Sequence, residues 1–447
     1  MQVLLQQRTG GALGISRHTC YRFIRHNLAT MSQVTPPTES QYRWYLAGTG
    51  TWFFAFGIQM VMFTYLVTTV LHAPANQIGF AQTSLTILSA AFMLVGGAVA
   101  DQFDTRRLMI SCHGAAMVPP LVLALVVMSG ALRYEWLIVY GLAMGTITAF
   151  MLPSREATLG EVIGPGGMRQ VQRAVTTMVG VSFLSQIAGM VIARFAASIG
   201  PEPIILLQVT AQAFGVFAAS RLHPSGRHQQ HAHQNQGSQI ERIKAGLKAV
   251  AVSPTMFPVT VLTASIGILY IGSFMVVLPV ILREEFGGNV QQISSMQASF
   301  WGGTIVSSFV IGRIGHIVNR GRLIVAAVAT GATILAIISI PAPLYVLYSL
   351  VFIWGLGAGV MISMSRTTMQ EQAPPALRAR ILSIFQLGFT GGMSIGALMA
   401  GLVVNLVGAR HATLFPAIVM AVIMTTLLTR TRIWHIRAID HATGAAP

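Results

Sequence analysis

The sequence predicts an all-α polytopic membrane protein, with twelve transmembrane helices arranged as two pseudo-symmetric six-helix bundles. Three observations predict this fold class. Only 9% of the 447 residues are charged, whereas soluble domains carry about 25%. Apolar runs of helix length recur from residue 46 to residue 429. The connections between these runs alternate in positive charge, as they do on the two faces of a bilayer.

Each apolar run is long enough to cross a bilayer, because about 20 helical residues span about 30 Å of hydrocarbon. Length and repetition support this assignment, since periodicity does not separate a lipid-facing helix from a buried one. The predicted spans lie near residues 46–71, 77–100, 107–129, 135–153, 171–199, 203–220, 256–282, 290–312, 322–341, 344–365, 380–405 and 411–429.

The positive charges predict the orientation of the spans. With the N-terminus in the cytoplasm, 24 of the 28 Lys and Arg residues fall in the tails or in cytoplasmic connections. Cationic residues are retained on that side of a membrane. We therefore predict a multi-pass protein of the bacterial cytoplasmic (inner) membrane with both termini cytoplasmic. The net charge of +16 then needs no nucleic-acid partner. The exceptions are Arg133, Arg194, Arg283 and Arg410.

The predicted organisation has five regions. They are a cytoplasmic N-terminal tail (1–44), a first six-helix bundle (45–220), a cytoplasmic linker (221–255), a second six-helix bundle (256–430) and a cytoplasmic tail (431–447). Residues 1–30 contain no acid and no apolar signal segment, so a start at Met31 or a disordered extension is favoured over a targeting peptide. Residues 240–251 predict an amphipathic helix on the inner membrane surface.

Cysteine and histidine give no sign of a disulfide or a metal centre. Cys112 lies in an apolar run and Cys20 in a basic tail, so a disulfide between them is not expected. His228, His231 and His233 lie in the polar linker, where a solvated segment is favoured over a metal site. We predict no cofactor and no metal.

The two halves contain matching connections. GAVADQFDTRR (97–107) aligns without gaps with GRIGHIVNRGR (312–322). Repeats of this kind in transporters enclose a site near the bilayer midplane and rock against each other. The matched pairs are Gly97 with Gly312, Asp101 with His316, Arg107 with Arg322 and, after spans four and ten, Arg155 with Arg366 and Arg169 with Arg380.

The loop after span two resembles a known signature. Gly97, Asp101, Arg106 and Arg107 fill the major facilitator superfamily pattern Gly-x-x-x-Asp-x-x-x-x-Arg-Arg. The stretch from residue 365 to residue 401 is similar to the branch that contains the enterobactin exporter and macrolide efflux permeases. The resemblance covers about residues 40–430. It implies a secondary transporter that works by alternating access between its two bundles.

The resemblance also implies a conformational gate on the cytoplasmic side. Asp101 is expected to pair with nearby cationic groups and with a helix N-terminus, where an anion is favoured. His316 replaces this acid in the second half, so that gate is weaker or pH-sensitive. The alternative is that the arginines only set the topology. The predicted gate comprises Gly97, Asp101, Arg106, Arg107, Arg155, Gly312, His316, Arg322, Arg366 and Arg380.

The middle of the predicted spans contains no acid. This argues against a deep carboxylate relay for protons and against a site for a cation. His113 is the only titratable candidate there, and a hydrogen bond within the helix bundle is its favoured role. Rings and neutral amides predict a cavity for an amphipathic or aromatic organic solute. The predicted cavity residues are Trp52, Gln59, Tyr270, Trp354, Gln186 and Gln386.

Together these features predict a monomeric transporter that exports a small organic molecule, such as a siderophore or a drug-like compound, across the lipid bilayer. A proton gradient is one candidate energy source, although the sequence lacks two features of drug/proton antiporters. These are a Gly-Pro motif in span five and an arginine between Tyr140 and Met151. An uptake permease or symporter is the alternative, followed by a membrane sensor without transport. An enzyme is disfavoured, because no nucleophiles or acids converge.

Overall fold

The computed structural model describes residues 39–163, 168–223, 239–314, 317–374 and 377–437. Some helical residues are described by their main chain alone. These are Leu94, Ala98, Asp101, 168–173, 239–245 and 378–380. The predicted start at Met31, the linker histidines and His316 lie outside the described residues.

Six long helices precede the linker and six follow it in the described chain. The first six are α1 (Glu39–Val70), α2 (Ala75–Gln102), α3 (Thr105–Met128), α4 (Tyr134–Ile163), α5 (Met168–Ala193) and α6 (Pro201–Ser220). The second six are α7 (Met256–Phe286), α8 (Val290–Ile314), α9 (Arg320–Ile338), α10 (Leu344–Gln372), α11 (Arg378–Val407) and α12 (Ala409–Arg430). Ten helices in the described residues are long and apolar enough to cross a membrane. The predicted fold class is confirmed.

Consecutive helices run in opposite directions, so their ends form two layers. We call the layer that contains Glu39 and Arg430 the termini end, and the opposite layer the far end. The four arginines that the sequence places outside the cytoplasmic connections all lie at the far end. They are Arg133, Arg194, Arg283 and Arg410.

Two helices are longer than the sequence predicts. The predicted limits at 153 and 365 are wrong, because α4 continues to Ile163 and α10 to Gln372. Pro153 lies inside α4, where a proline removes a single backbone donor. Thr105 Oγ1 at the start of α3 donates to Glu161 Oε2 over 2.7 Å and holds the extension of α4. Arg155 therefore belongs to a helix and not to a loop.

Three helices depart from regular α geometry. The prolines at 119 and 120 follow a break in α3 after Ala115, as expected where proline removes donors. Wider π turns end α1 at Leu66–Val70 and interrupt α7 at Gly267–Ile271 and Ser273–Val277. Such π segments often mark functional positions in helices. In both halves they lie in the helix that opens the bundle.

Glycines allow the helices within each half to cross closely. A Cβ on Gly189 of α5 would overlap with the Phe54 carbonyl oxygen of α1, and a Cβ on Gly396 of α11 would overlap with the Ile268 carbonyl oxygen of α7. Small residues permit such backbone approach between helices in membranes. The two halves thus share one packing arrangement, with α1 against α5 and α7 against α11.

Replacing Gly189 by alanine is expected to destabilise the first half by about 1–3 kcal/mol, because the added methyl group meets backbone that is held on both sides. Gly180→Ala in the same helix is the matched control, since a Cβ there has nothing within 4 Å. Thermal unfolding in detergent micelles measures the difference. Equal unfolding temperatures for the two variants would contradict this packing.

The linker contains the predicted helix, at Gln239–Val252. It packs against α7 and α11. Val250, on the predicted apolar face, is buried, whereas Leu247 on the same face is exposed. An exposed leucine beside the exposed Lys248 fits a helix at a membrane surface, and that placement stays a prediction.

Candidate functional site

The largest contacts between the two halves are made by two pairs of helices. α2 packs against α11, and α5 packs against α8. Close approach is possible because Gly79 of α2 faces the Ala397 carbonyl oxygen and Gly401 of α11 faces the Ala75 carbonyl oxygen. Both glycines lie toward the far end.

A group of polar contacts, which we call the far-end latch, joins α1 to α7 and to the start of α8. Arg283 Nη1 donates to the carbonyl oxygens of Ala73 (2.6 Å) and Thr68 (3.3 Å). Thr69 Oγ1 donates to the Gly288 carbonyl oxygen over 2.5 Å. The C-terminal carbonyls of a helix lack intrahelical partners and carry partial negative charge. The guanidinium from the opposite half reaches one such carbonyl, that of Thr68, and binds more closely to Ala73 in the connection that follows α1.

Further hydrogen bonds between the halves reach the middle of the helices. Ser294 Oγ donates to the Met190 carbonyl oxygen (2.6 Å), and Gln297 Nε2 donates to the Met60 carbonyl oxygen (3.0 Å). Between α2 and α11, the hydroxyls of Thr86 and Ser394 are 2.8 Å apart. These contacts close the far half of the space between the bundles.

Toward the termini end, the described residues show no hydrogen bond or ion pair between the halves. The ring contact of Phe183 with Trp301, 6.0 Å between centroids, lies near the middle of the helices. Phe53 and Phe56 of α1 form a ring pair nearby, with centroids 6.4 Å apart. We call the region around these four aromatic residues the central cleft.

Several buried polar atoms beside the central cleft have no hydrogen-bond partner. They are Gln297 Oε1, Trp301 Nε1 and Gln59 Oε1. Buried polar atoms are normally paired, and an exception calls for an explanation. These atoms are enclosed in this conformation, so one donor and two acceptors of the region are left without a hydrogen bond.

Arg155 of α4 is the charged residue nearest to these rings. Its guanidinium carbon lies 4.8 Å from the centroid of the Phe53 ring. Its Nη2 donates to Glu156 Oε1 over 3.0 Å, whereas Nε and Nη1 have no hydrogen-bond partner. The residue is 8% exposed.

Three predicted cavity residues contact only their own half. Trp52 packs edge-on against His113, and Tyr270 packs edge-on against Trp354. The Tyr270 hydroxyl donates to the Val328 carbonyl oxygen over 2.7 Å. These rings pack inside their bundles in this conformation, and their assignment to the cavity stays a prediction.

The predicted glutamines occupy three different environments. Gln186 is buried beside α1, with its Nε2 3.5 Å from Met60 Sδ. Gln59 is buried in the first half. Gln386 is exposed on α11, and its Nε2 donates to Thr390 Oγ1 of the same helix over 3.3 Å. The cavity role of these three glutamines stays a prediction.

His113 has the role that the sequence favours. Its Nδ1 is 2.7 Å from Gln212 Oε1, and the side chain is fully buried between α1 and α6. A second glutamine of α6 also makes a buried hydrogen bond: Gln208 Nε2 donates to the Tyr140 hydroxyl over 3.0 Å. The interior of the first half thus contains a polar network, whereas that of the second half is aromatic.

Replacing Gln212 by leucine is expected to cost about 1–3 kcal/mol of stability, because His113 Nδ1 is then left unpaired in a closed site. Thr210→Val on the exposed face of α6 is the control, since Thr210 donates only to a carbonyl of its own helix. The unfolding temperature of each variant is the measurement. An unchanged value for Gln212→Leu would show that the hydrogen bond contributes nothing.

The predicted gate residues lie at the termini end, without contact between the halves in the described chain. Arg106 Nη2 donates to the Ser220 carbonyl oxygen over 2.7 Å and so holds α3 to the end of α6. Arg107 and Arg366 are exposed, and Arg322 lies over the Trp434 ring at 5.6 Å. The side chains of Asp101 and Arg380, and all of His316, lie outside the described set. Gly97 and Gly312 have open space where a Cβ would stand.

Sequence analysis missed an ion pair at the termini end of the second half. Arg320 donates through Nη1 and Nη2 to the two carboxylate oxygens of Glu371, at 2.6 and 2.8 Å. In the gap-free repeat alignment Arg320 matches Thr105, which binds Glu161 in the first half. The matched positions thus hold their helices through an ion pair in the second half and through a hydroxyl–carboxylate hydrogen bond in the first. A comparison of the acids near the matched positions could have revealed the ion pair from the sequence.

It also missed the cleft residues Gln297, Trp301 and Phe53. Gln297 and Trp301 are four residues apart on α8, so they share one face of the helix. This spacing could have identified the two residues as neighbours from the sequence. Phe53 is adjacent to Trp52, and the sequence does not show which of the two packs on Arg155.

Twelve helices in two related halves around a cleft define a membrane transporter of the major facilitator type. The family model described as transmembrane secretion effector matches residues 33–445. The chain belongs to this family. Comparison with curated protein sequences gives no match.

Solved transporter structures share the fold. An auto-inhibited POT family peptide transporter has a TM-score of 0.68 and 12% identity, covering 91% of this chain and 99% of that one. The nucleoside transporter NupG gives 0.65 and 15%, covering 88% and 99%. A bacterial homolog to the human lysosomal transporter Spinster gives 0.59 and 14%, covering 89% and 96%. At these identities the likeness concerns the fold alone.

Proposed function

We propose that the protein is a secondary transporter that exports a small organic molecule, such as a siderophore or a drug-like compound, by alternating access. The observation that supports this proposal is the set of hydrogen bonds that joins the two halves from the far end to the middle of the helices. The described hydrogen bonds between the halves run from the far-end latch to the Thr86 and Ser394 hydroxyls. A transporter of this type exposes its site to one side at a time.

The orientation follows from charge. The four far-end arginines are the exceptions to the cytoplasmic excess of Lys and Arg, and such an excess marks the cytoplasmic side. With the termini in the cytoplasm of a bacterial inner membrane, this conformation is inward-facing. It is the state that loads an exported solute.

The opposite state requires the termini end to close. The open space around Gly97 of α2 and Gly312 of α8 supports a role for these glycines as close-packing positions in that state, because a residue without a Cβ lets backbones approach. Asp101 and the cationic residues around it would then form the gate that the loop motif implies.

Replacing Gly97 by valine is expected to leave the unfolding temperature unchanged and to lower the transport rate about tenfold or more, because the side chain has space only in the present state. Gly160→Val, also without neighbours within 4 Å and near the termini end of α4, is the control. Unimpaired transport by Gly97→Val would remove the proposed packing role.

A reversible cross-link between the halves tests alternating access. Thr86→Cys and Ser394→Cys replace hydroxyls that are 2.8 Å apart, so the two sulfurs can form a disulfide. In liposomes under an imposed gradient, the oxidised double variant should stop moving a panel of amphipathic organic solutes. Reduction should restore the flux, and either single variant should be insensitive to oxidant.

Two outcomes would contradict the proposal. One is full transport by the oxidised double variant, and the other is no flux of any solute in any gradient. Direction needs a separate measurement in cells with and without the gene. Lower accumulation with the gene supports export, and higher accumulation supports the uptake alternative.

A further inference from the structure

Arg155 holds a positive charge that its surroundings compensate only in part. Its ion-pair partner Glu156 lies at 3.0 Å, but that side chain is 48% exposed. The guanidinium nitrogens Nε and Nη1 have no hydrogen-bond partner and are enclosed. Donors that are buried without a partner are costly, so two of the three nitrogens of this group favour an additional acceptor.

The charge is directed away from the nearest aqueous surface. The Tyr45 hydroxyl donates to the Arg155 carbonyl oxygen over 3.2 Å. The main chain of Arg155 therefore lies beside the tip of the Tyr45 side chain. The guanidinium instead lies over Phe53, which is eight residues, or about 12 Å, further along α1. Helical side chains tilt toward the N-terminus of their helix, which for α4 is the far end. An arginine that served only topology would extend toward water instead.

The surface beside this charge is aromatic. Phe53 and Phe56 stand edge to face, with an interplanar angle of 79°. In the second half, Trp301 contacts Phe183, and its indole Nε1 is enclosed without a hydrogen-bond partner. A flat ring can pack on such a surface, while an acidic substituent reaches the guanidinium.

From this juxtaposition we propose that Arg155 and the Phe53–Phe56 pair form a binding site for an aromatic anion, a ring that carries a carboxylate or a similar acid. The acid binds Arg155 Nε and Nη1, and the ring lies on the phenylalanines. This inference deepens the proposed function, on which it rests, by naming the charge and shape of the transported solute.

Equilibrium binding to the purified full-length protein in detergent separates charge from ring. The probes are 1-naphthoate, its neutral analogue 1-naphthamide, its cationic analogue 1-naphthylmethylammonium, and the non-aromatic cyclohexanecarboxylate. Protein-free micelles correct for partitioning of each probe. We expect 1-naphthoate to bind at least about tenfold more tightly than the other three, since one charge-assisted pair is worth about that factor.

Substitutions test which residues cause the preference for the aromatic anion. Arg155→Gln should weaken 1-naphthoate binding at least about tenfold and leave 1-naphthamide within about threefold, so that the charge preference disappears. Arg155→Lys should keep part of the preference. Phe53→Leu should weaken both aromatic probes but not cyclohexanecarboxylate. Arg430→Gln, an exposed arginine at the same end, is the control and should bind as the native protein does.

The outcomes separate this inference from the proposed function. Equal binding of the anion and the amide, or an unchanged charge preference in Arg155→Gln, would overturn the anion site even if the cross-linking experiment establishes transport. Conversely, selective anion binding without flux would contradict the transporter proposal alone. Circular dichroism and the unfolding temperature of each variant establish that the site was tested in folded protein.

Discussion

Replacing Arg283 by glutamine is expected to shift the protein toward a conformation that is open at the far end, by a factor of about 10 to 100. The reason is the loss of charge-assisted hydrogen bonds to the carbonyl oxygens of Thr68 and Ala73, because a hydrogen bond to a charged group is worth about 1.5–3 kcal/mol. The C-terminal carbonyls of α1 would then favour water over the opposite half.

The measurement is the rate at which a membrane-impermeant thiol reagent modifies Val290→Cys, a position that is 1% exposed at the start of α8. Cys20 and Cys112 are replaced by alanine in this background. Arg133→Gln, an exposed arginine at the same end, is the matched control and should leave the rate unchanged. Equal rates for the two variants would show that the far-end latch does not hold the cleft closed.

Replacing Arg320 by glutamine is expected to destabilise the second half by about 1.5–3 kcal/mol, the worth of a hydrogen bond to a charged group. The variant leaves Glu371, whose side chain is 25% exposed, without its two-point partner at the termini end of α10. Glu371→Gln should have an effect of similar size, because the stranded charge is then that of the buried arginine.

The double variant distinguishes a pair from two separate effects. Arg320→Gln combined with Glu371→Gln should cost less than the sum of the single changes, since no charge is stranded. Arg322→Gln, an exposed arginine two residues away, is the control. Additive losses of unfolding temperature would indicate that the two residues stabilise the fold independently.

Much of the architecture could be predicted because the bilayer restricts it. Helices must satisfy their own backbone in lipid, so apolar length alone gave twelve spans, and the gap-free match around Gly97 and Gly312 gave the two halves. The ends of α4 and α10 were missed because both helices continue beyond their apolar runs. There, contacts such as Thr105 with Glu161 maintain the helix.

The candidate site was harder to predict, because hydrophobicity does not distinguish the faces of a membrane helix. Trp52 and Phe53 are adjacent and both aromatic, yet Trp52 packs on His113 inside the first half and Phe53 faces Arg155. Trp354 likewise packs within the second half. Which side chain faces the opposite bundle depends on the rotation of each helix, and tertiary packing sets that rotation.

The most direct test of the account follows two distances between the halves. Spin-label pairs at Gln77 and Asn405 report on the far end, and pairs at Gln102 and Gln386 report on the termini end, all four being exposed residues. When a transported solute or a gradient is applied, the far-end distance should increase while the termini-end distance decreases. Two distances that stay fixed, or that change in the same direction, would contradict alternating access in this protein.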